Sequence, residues 1–176
     1  MKVDNRELDK LLEKHFSNVN LWLNFAEAKN AANIAFVVAS IAAFFNFKDM
    51  NILLYIVCAF FVVSGICSLI SFVPRLENKE SKQGLFLFKN KKRTDDVDNL
   101  IFFENIKKYS GSAYIKQVCK MYFNENEYNP TKYQLDLAEE IVNNSNITSI
   151  KYWFFKKAVY LDIIALFLLV IFLILA

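Results

Sequence analysis

The sequence predicts a mainly α membrane protein with three transmembrane helices. Two of these continue into long cytoplasmic helices, and a small cytoplasmic cap contains two short extended or strand segments. Three observations predict this architecture. The apolar residues, 55% of a 176-residue chain, are gathered into three runs. The basic residues keep to one side of those runs, and two long stretches contain neither glycine nor proline. The division that follows is an amphipathic cytoplasmic helix over 1–30, spans over 31–47 and 52–73, a cap over 74–130, a cytoplasmic helix over 131–157 and a third span over 158–176.

The first helix starts at Asp4, an N-cap with Glu7 three residues later, and carries Leu8, Leu12, Phe16, Val19, Leu23 and Ala26 at helical spacing, with Leu11, Trp22 and Phe25 alongside. Nothing breaks it before the membrane, so one helix runs on through the first span, its cytoplasmic part about 40 Å long at 1.5 Å per residue. That span is apolar except for Asn33, Ser40 and Asn46. Only Lys48-Asp49-Met50-Asn51 separate it from the second span, so the pair reads as a tight hairpin. The second span is broken only by Ser64, Gly65, Ser68 and Ser71. Runs of about 17 to 25 such residues cross a bilayer as helices, which satisfy their own backbone hydrogen bonds.

Pro74 closes the second span. Two short apolar runs, Leu85-Phe86-Leu87-Phe88 and Leu100-Ile101-Phe102-Phe103, then flank a charged tip that holds Lys91, Lys92, Arg93, Asp95, Asp96 and Asp98. Both runs are too short for helices and rich in Phe, which predicts short strands or extended segments that roof the helices. A further helix is expected from Ser110 as N-cap to near Asn124. The last begins after Pro130 with a Thr131-x-x-Gln134 capping box and continues without Gly or Pro into the third span, where Asp162 is the one charge. Its cytoplasmic part is also about 40 Å long, so the two stalks are matched in height.

Of the 21 Lys and Arg, five precede the first span, Lys48 sits in the hairpin, and fifteen fall from Arg75 to Lys157. The positive-inside rule then puts the N-terminus and the central region in the cytoplasm. The net charge of +3 is accounted for by topology and anionic lipid and gives no reason to expect a nucleic acid polymer as partner. The first thirty residues mix acids and bases, unlike a signal peptide. Cys58, Cys67 and Cys119 form neither a disulfide framework nor a CxxC pair. One histidine, no Gly-rich phosphate loop and no metal-ligand cluster argue against an enzyme, a catalytic residue, a cofactor or a metal site.

Asn144, Thr148 and Lys151 fall at i, i+4 and i+7 with Ser145 beside them, interrupting the apolar seam of Leu137, Ala138 and Ile141. Such a stripe is either a structural specificity device or a ligand wall. Lys151 and Glu27 lie at similar heights before their spans, about 9 Å in the case of Lys151, so the two can meet as an ion pair, a gate rather than a phosphate contact. Arg75 and Arg93 are then the better phosphate candidates, and Phe102 or Phe103 offers a base its stacking surface. Asp162 is either a shallow interfacial charge or, turned toward Asn33 in a homo-oligomer, part of a conducting path.

Several short strings occur in a familiar order: Ala26-Glu27-Ala28-Lys29, Pro74-Arg75-Leu76, Asn99-Leu100-Ile101-Phe102-Phe103 with Ile106, Ser110 with Tyr114, and Leu137-Ala138-Glu139-Glu140-Ile141 followed by Ser145, Ile147 and Lys151. Over nearly its whole length the chain resembles a transmembrane effector of the Pycsar type, a bacterial anti-phage module. The resemblance implies a multi-pass protein of the bacterial inner membrane. Its activating ligand would be a cyclic nucleotide, foremost a cyclic pyrimidine mononucleotide made by a neighbouring cyclase, and membrane disruption would end in abortive infection. The rival expectation is a membrane-anchored scaffold whose stalks dock a partner protein and bind no nucleotide.

Overall fold

The computed structural model describes residues 4–44, 52–74, 94 and 97–175. Five helices appear among them: α1 (Asn5–Phe44), α2 (Ile52–Ile70), α3 (Phe103–Ile106), α4 (Gly111–Phe123) and α5 (Lys132–Leu175). Local chemistry explains where each begins. Asp4 precedes α1, its carboxylate accepting from the Arg6 N–H at 3.0 Å and its carbonyl from the N–H groups of Glu7 and Leu8. Ser110 caps α4 by accepting from the Ala113 N–H, and Asn124 ends it in the left-handed region at φ 54°. Before α5 the capping box is formed in both directions, Gln134 N–H to Thr131 Oγ1 at 3.3 Å and Thr131 N–H to Gln134 Oε1 at 3.0 Å.

The chain folds into two compact units, Met1–Leu23 with Pro74–Ser149, and Asn24–Val73 with Ile150–Ala176. The crossing at Val73–Pro74 follows α2, while those at Leu23–Asn24 and Ser149–Ile150 fall inside α1 and α5, so each of these two helices serves both units without a linker. The latter two crossings also fall several residues ahead of where hydropathy begins the first and third spans. In the first unit Leu8, Leu12 and Val19 of α1, Ile115 and Val118 of α4, and Ala138 and Ile141 of α5 are fully buried together with Ile106. Gly111 is the close point of this packing: a Cβ there would lie 2.9 Å from the Cα and backbone N of Glu139, so α4 starts directly against the α5 backbone.

The expected strand at Leu100–Phe103 is replaced by a turn leading into the single turn of α3. The cause is Asn99, whose side chain accepts from the Ile101 N–H at 2.9 Å while its carbonyl accepts from the Phe102 N–H at 3.2 Å. This Asx turn diverts the backbone groups that a strand would need. No strand occurs among the described residues, and the companion run Leu85–Phe88 lies outside them.

The second unit is built inside out. Its apolar core of Val37, Phe44, Leu54, Val57, Phe61, Ala165 and Phe172 is joined by buried Asn30, Asn33, Ser64, Ser68, Ser71, Lys151 and Asp162. Its surface meanwhile carries Ile52 at 76% exposure, Phe167 at 67% and Ile174 at 77%. Apolar outside with polar inside is the arrangement that lipid, not water, stabilises. Two helices, α2 and the apolar part of α5, are long and apolar enough to cross a bilayer. The apolar part of α1, described from Ala31 to Phe44 and interrupted by Asn33 and Ser40, does not reach that measure by itself.

Candidate functional site

In the first unit the aromatic residues singled out from the sequence are partly consumed by packing. Phe103 is buried with its ring 5.8 Å from Trp22, whereas Phe102 is exposed, 4.8 Å from Phe103 and edge-on to Trp22 at 6.4 Å. Asn144 donates to Asn20 Oδ1 at 2.8 Å, tying α5 to α1. Thr148 is fully buried, and its hydroxyl has no partner among the described residues. Glu104 is engaged by Lys107 at 2.7 Å and by the Ser149 hydroxyl at 2.6 Å. Arg75 and Arg93 lie outside the described residues.

An open groove of about 700 Å³ lies elsewhere in this unit, lined by Lys10, Lys14 and His15 of α1, Ile101, and Tyr122 and Phe123 of α4, with Asp4 and Glu7 also on its wall. Its size is within the range of about 300–1,000 Å³ usual for small-molecule sites. From the sequence His15 stands only as a base for a Cys119 nucleophile, a pairing set aside in favour of packing, and not as a ligand contact. The Tyr114 hydroxyl gives its one proton to the Leu100 carbonyl at 2.8 Å, so its 2.8 Å contact with His15 Nδ1 is a donation from the imidazole. Nε2 is therefore the acceptor. Burial, reinforced by Lys14, lowers the His15 pKa to about 4, so the ring is neutral at pH 7. The signal in the sequence was a lone histidine at a seam position between Leu12 and Val19. Burial also pushes up the Tyr114 hydroxyl and, with Glu125 adding to it, the Cys119 thiol to about 11, which keeps Cys119 a packed thiol.

In the second unit Lys151 is buried and its ammonium is held by three groups. It donates to the Ser71 carbonyl at 2.9 Å, pairs with Glu27 Oε1 at 3.2 Å, and stands 5.3 Å from the centre of the Phe72 ring. The Lys151 carbonyl in turn accepts from Asn30 at 3.2 Å. Farther along, Asn33 donates to Ser64 and Ser68 at 3.1 Å each, and Ser64 donates to the Ala158 carbonyl at 3.1 Å. Asp162 completes this layer, 5% exposed, with Ser64 and Asn33 beside its carboxyl. Asn33 and Asp162 thus come together within one chain, by way of α1, α2 and α5.

No group of three or more His, Cys, Asp or Glu that could hold a metal occurs among the described residues. Comparison with curated proteins finds no match, and neither does comparison with solved structures. The family model described as the Pycsar effector protein domain matches residues 11–176. With its apolar helices, the chain is thus associated with a membrane, and it belongs to the Pycsar effector family of anti-phage defence.

Proposed function

We propose that this chain is a ligand-gated membrane effector of the bacterial inner membrane, switched on by a cyclic nucleotide and ending in membrane disruption and abortive infection. The observation that carries this reading is the inverted second unit, whose buried polar seam runs under an apolar surface on helices that also build the first unit. A polar seam held by Asn33, Ser64, Ser68 and Asp162 gives the spans a second set of partners: other copies of the chain, or water. In this reading there are three spans, with residues 31–47 completing the hairpin with α2, and the N-terminus and central region face the cytoplasm.

The groove is the receptacle best suited to the ligand. His15 Nε2 would accept from an exocyclic amine of the base, Tyr122 would lie against its face, and Lys10 and Lys14 would meet the phosphate. A cyclic cytidine mononucleotide from a neighbouring cyclase has all three features, and a cyclic uridine mononucleotide would offer its ring N3–H in place of the amine. Phe102 and Asn144 are the alternative contacts; Arg75 and Arg93, the phosphate candidates read from the sequence, lie outside the described residues. Binding shifts the population of helix arrangements in a homo-oligomer, and α1 and α5 carry the difference into the bilayer.

The test is a thermal-shift panel of cyclic nucleotides on the full chain in detergent, followed by dye leakage from liposomes with any ligand that binds. Raised stability and leakage with one cyclic nucleotide are expected. His15→Ala and Tyr122→Ala should lose the shift; loss in Phe102→Ala alone would move the ligand to the aromatic surface. No shift with any nucleotide sinks the sensor and favours the scaffold.

A further inference from the structure

The polar layer of the second unit has a property that the effector reading does not use. Asp162 is 5% exposed and its Oδ1 has no hydrogen-bond partner among the described residues. A carboxylate so placed in an apolar helix is costly unless something positive or a proton accompanies it. Among the described residues the side chains beside it are neutral: Asn33 from α1, and Ser64 from α2, with Ser68 one turn further. The charged groups on the packed elements are already paired or lie away from it. Lys151 of α5 is spent on Glu27 of α1 and the Ser71 carbonyl, Lys29 of α1 sits over the Tyr152 and Phe155 rings, and Lys156 and Lys157 of α5 sit over Tyr160 and Trp153; α2 contains no charged residue.

We propose that Asp162, Asn33, Ser64 and Ser68, with the Ala158 carbonyl, form an intramembrane site for a small monovalent cation of the sodium or lithium class. The donor set is a carboxylate, hydroxyls, a carbonyl and an amide whose oxygen is brought in by turning the group over, all hard oxygen ligands of the kind that alkali and alkaline-earth ions take. One carboxylate among neutral groups balances one positive charge; a divalent ion would leave an unpaired charge in a medium of low dielectric. The close spacing favours a small ion, since Asn33, Ser64, Ser68 and the Ala158 carbonyl already stand 3.1 Å from one another along the chain of contacts. Three helices supply the ligands, so the ion would staple the closed bundle and its release would loosen it. The inference rests on the second unit alone and does not depend on which nucleotide, if any, the first unit binds.

The experiment is thermal unfolding of the full chain in detergent at pH 8, in lithium, sodium, potassium and choline chlorides at one ionic strength. Sodium and lithium are expected to raise the midpoint saturably over choline. Asp162→Asn should abolish the dependence, and Ser68→Ala should weaken the apparent sodium affinity by tenfold or more. Identical midpoints in all four salts overturn the site and leave a protonated carboxyl in its place, as does a sodium response that survives in Asp162→Asn. Should Asp162→Asn fail to fold, retention of radioactive sodium by the wild-type chain decides: competition by lithium but not by choline supports the site, and no retention overturns it.

Discussion

The residue that most rewards attention in the first unit is His15. Its neutral form is the one the fold accepts, because burial removes the water that would solvate the imidazolium and Lys14 repels it. With a folded pKa near 4 and an unfolded value near 6.5, the unfolded chain binds more protons between those values. Stability from this group is therefore complete above pH 6.5 and is lost as pH falls toward 4, by about 3 kcal/mol in all. Urea unfolding of the detergent-solubilised chain across that window should show a steeper loss in the wild type than in His15→Gln, in which nothing titrates at this position. Equal slopes would mean that the imidazole is as well solvated folded as unfolded.

At the scale of elements, caps and close approaches decide where helices start and how near they come. Gly111→Ala would thrust a methyl group to 2.9 Å from the Glu139 backbone and 2.5 Å from its Cγ, so α4 must back away from α5. The expected cost is about 1 to 3 kcal/mol, read as a lowered thermal midpoint, while Ser112→Ala one residue on should cost little. The element boundaries were legible in the sequence because capping is local: Asp4, Ser110 and the Thr131–Gln134 box each need only residues within three positions. The run Leu100–Phe103 was misread for the complementary reason. Its apolar pattern suits a strand, but the side chain of Asn99 outcompetes that pattern by seizing the next backbone donors. The groove was not legible at all, since its walls come from residues near 4–15, 101 and 122–124, which only the tertiary fold assembles. The heights of Glu27 and Lys151, by contrast, could be counted along helices without a break, and the two side chains stand 3.2 Å apart.

For the whole molecule, that ion pair marks where the second unit is pinned. Lys151 is nearly buried while Glu27 is half-exposed, so the lysine is the partner that suffers when the pair is broken. Glu27→Lys and Lys151→Glu are each expected to lower the thermal midpoint, and the double reversal to recover at least half of the loss. If the double variant recovers nothing, the Ser71 carbonyl and Phe72 ring, not Glu27, hold the ammonium in place. The same variants in a liposome assay separate stability from gating: a pin that also gates makes the single reversals leak without ligand.

The two long helices also limit how such a protein can be rearranged. Neither unit is a continuous piece of chain, and two of the three crossings between them cut through helices rather than linkers. Separating the units takes cuts after Leu23, after Val73 and before Ile150, of which the first and last would sever α1 and α5 in mid-course and leave unpaired carbonyls at one new end of each and unpaired amides at the other. Recombination therefore cannot lift the first unit off and graft it onto another protein, as it can with beads on a string. The two units have to be inherited, and to change, as one object.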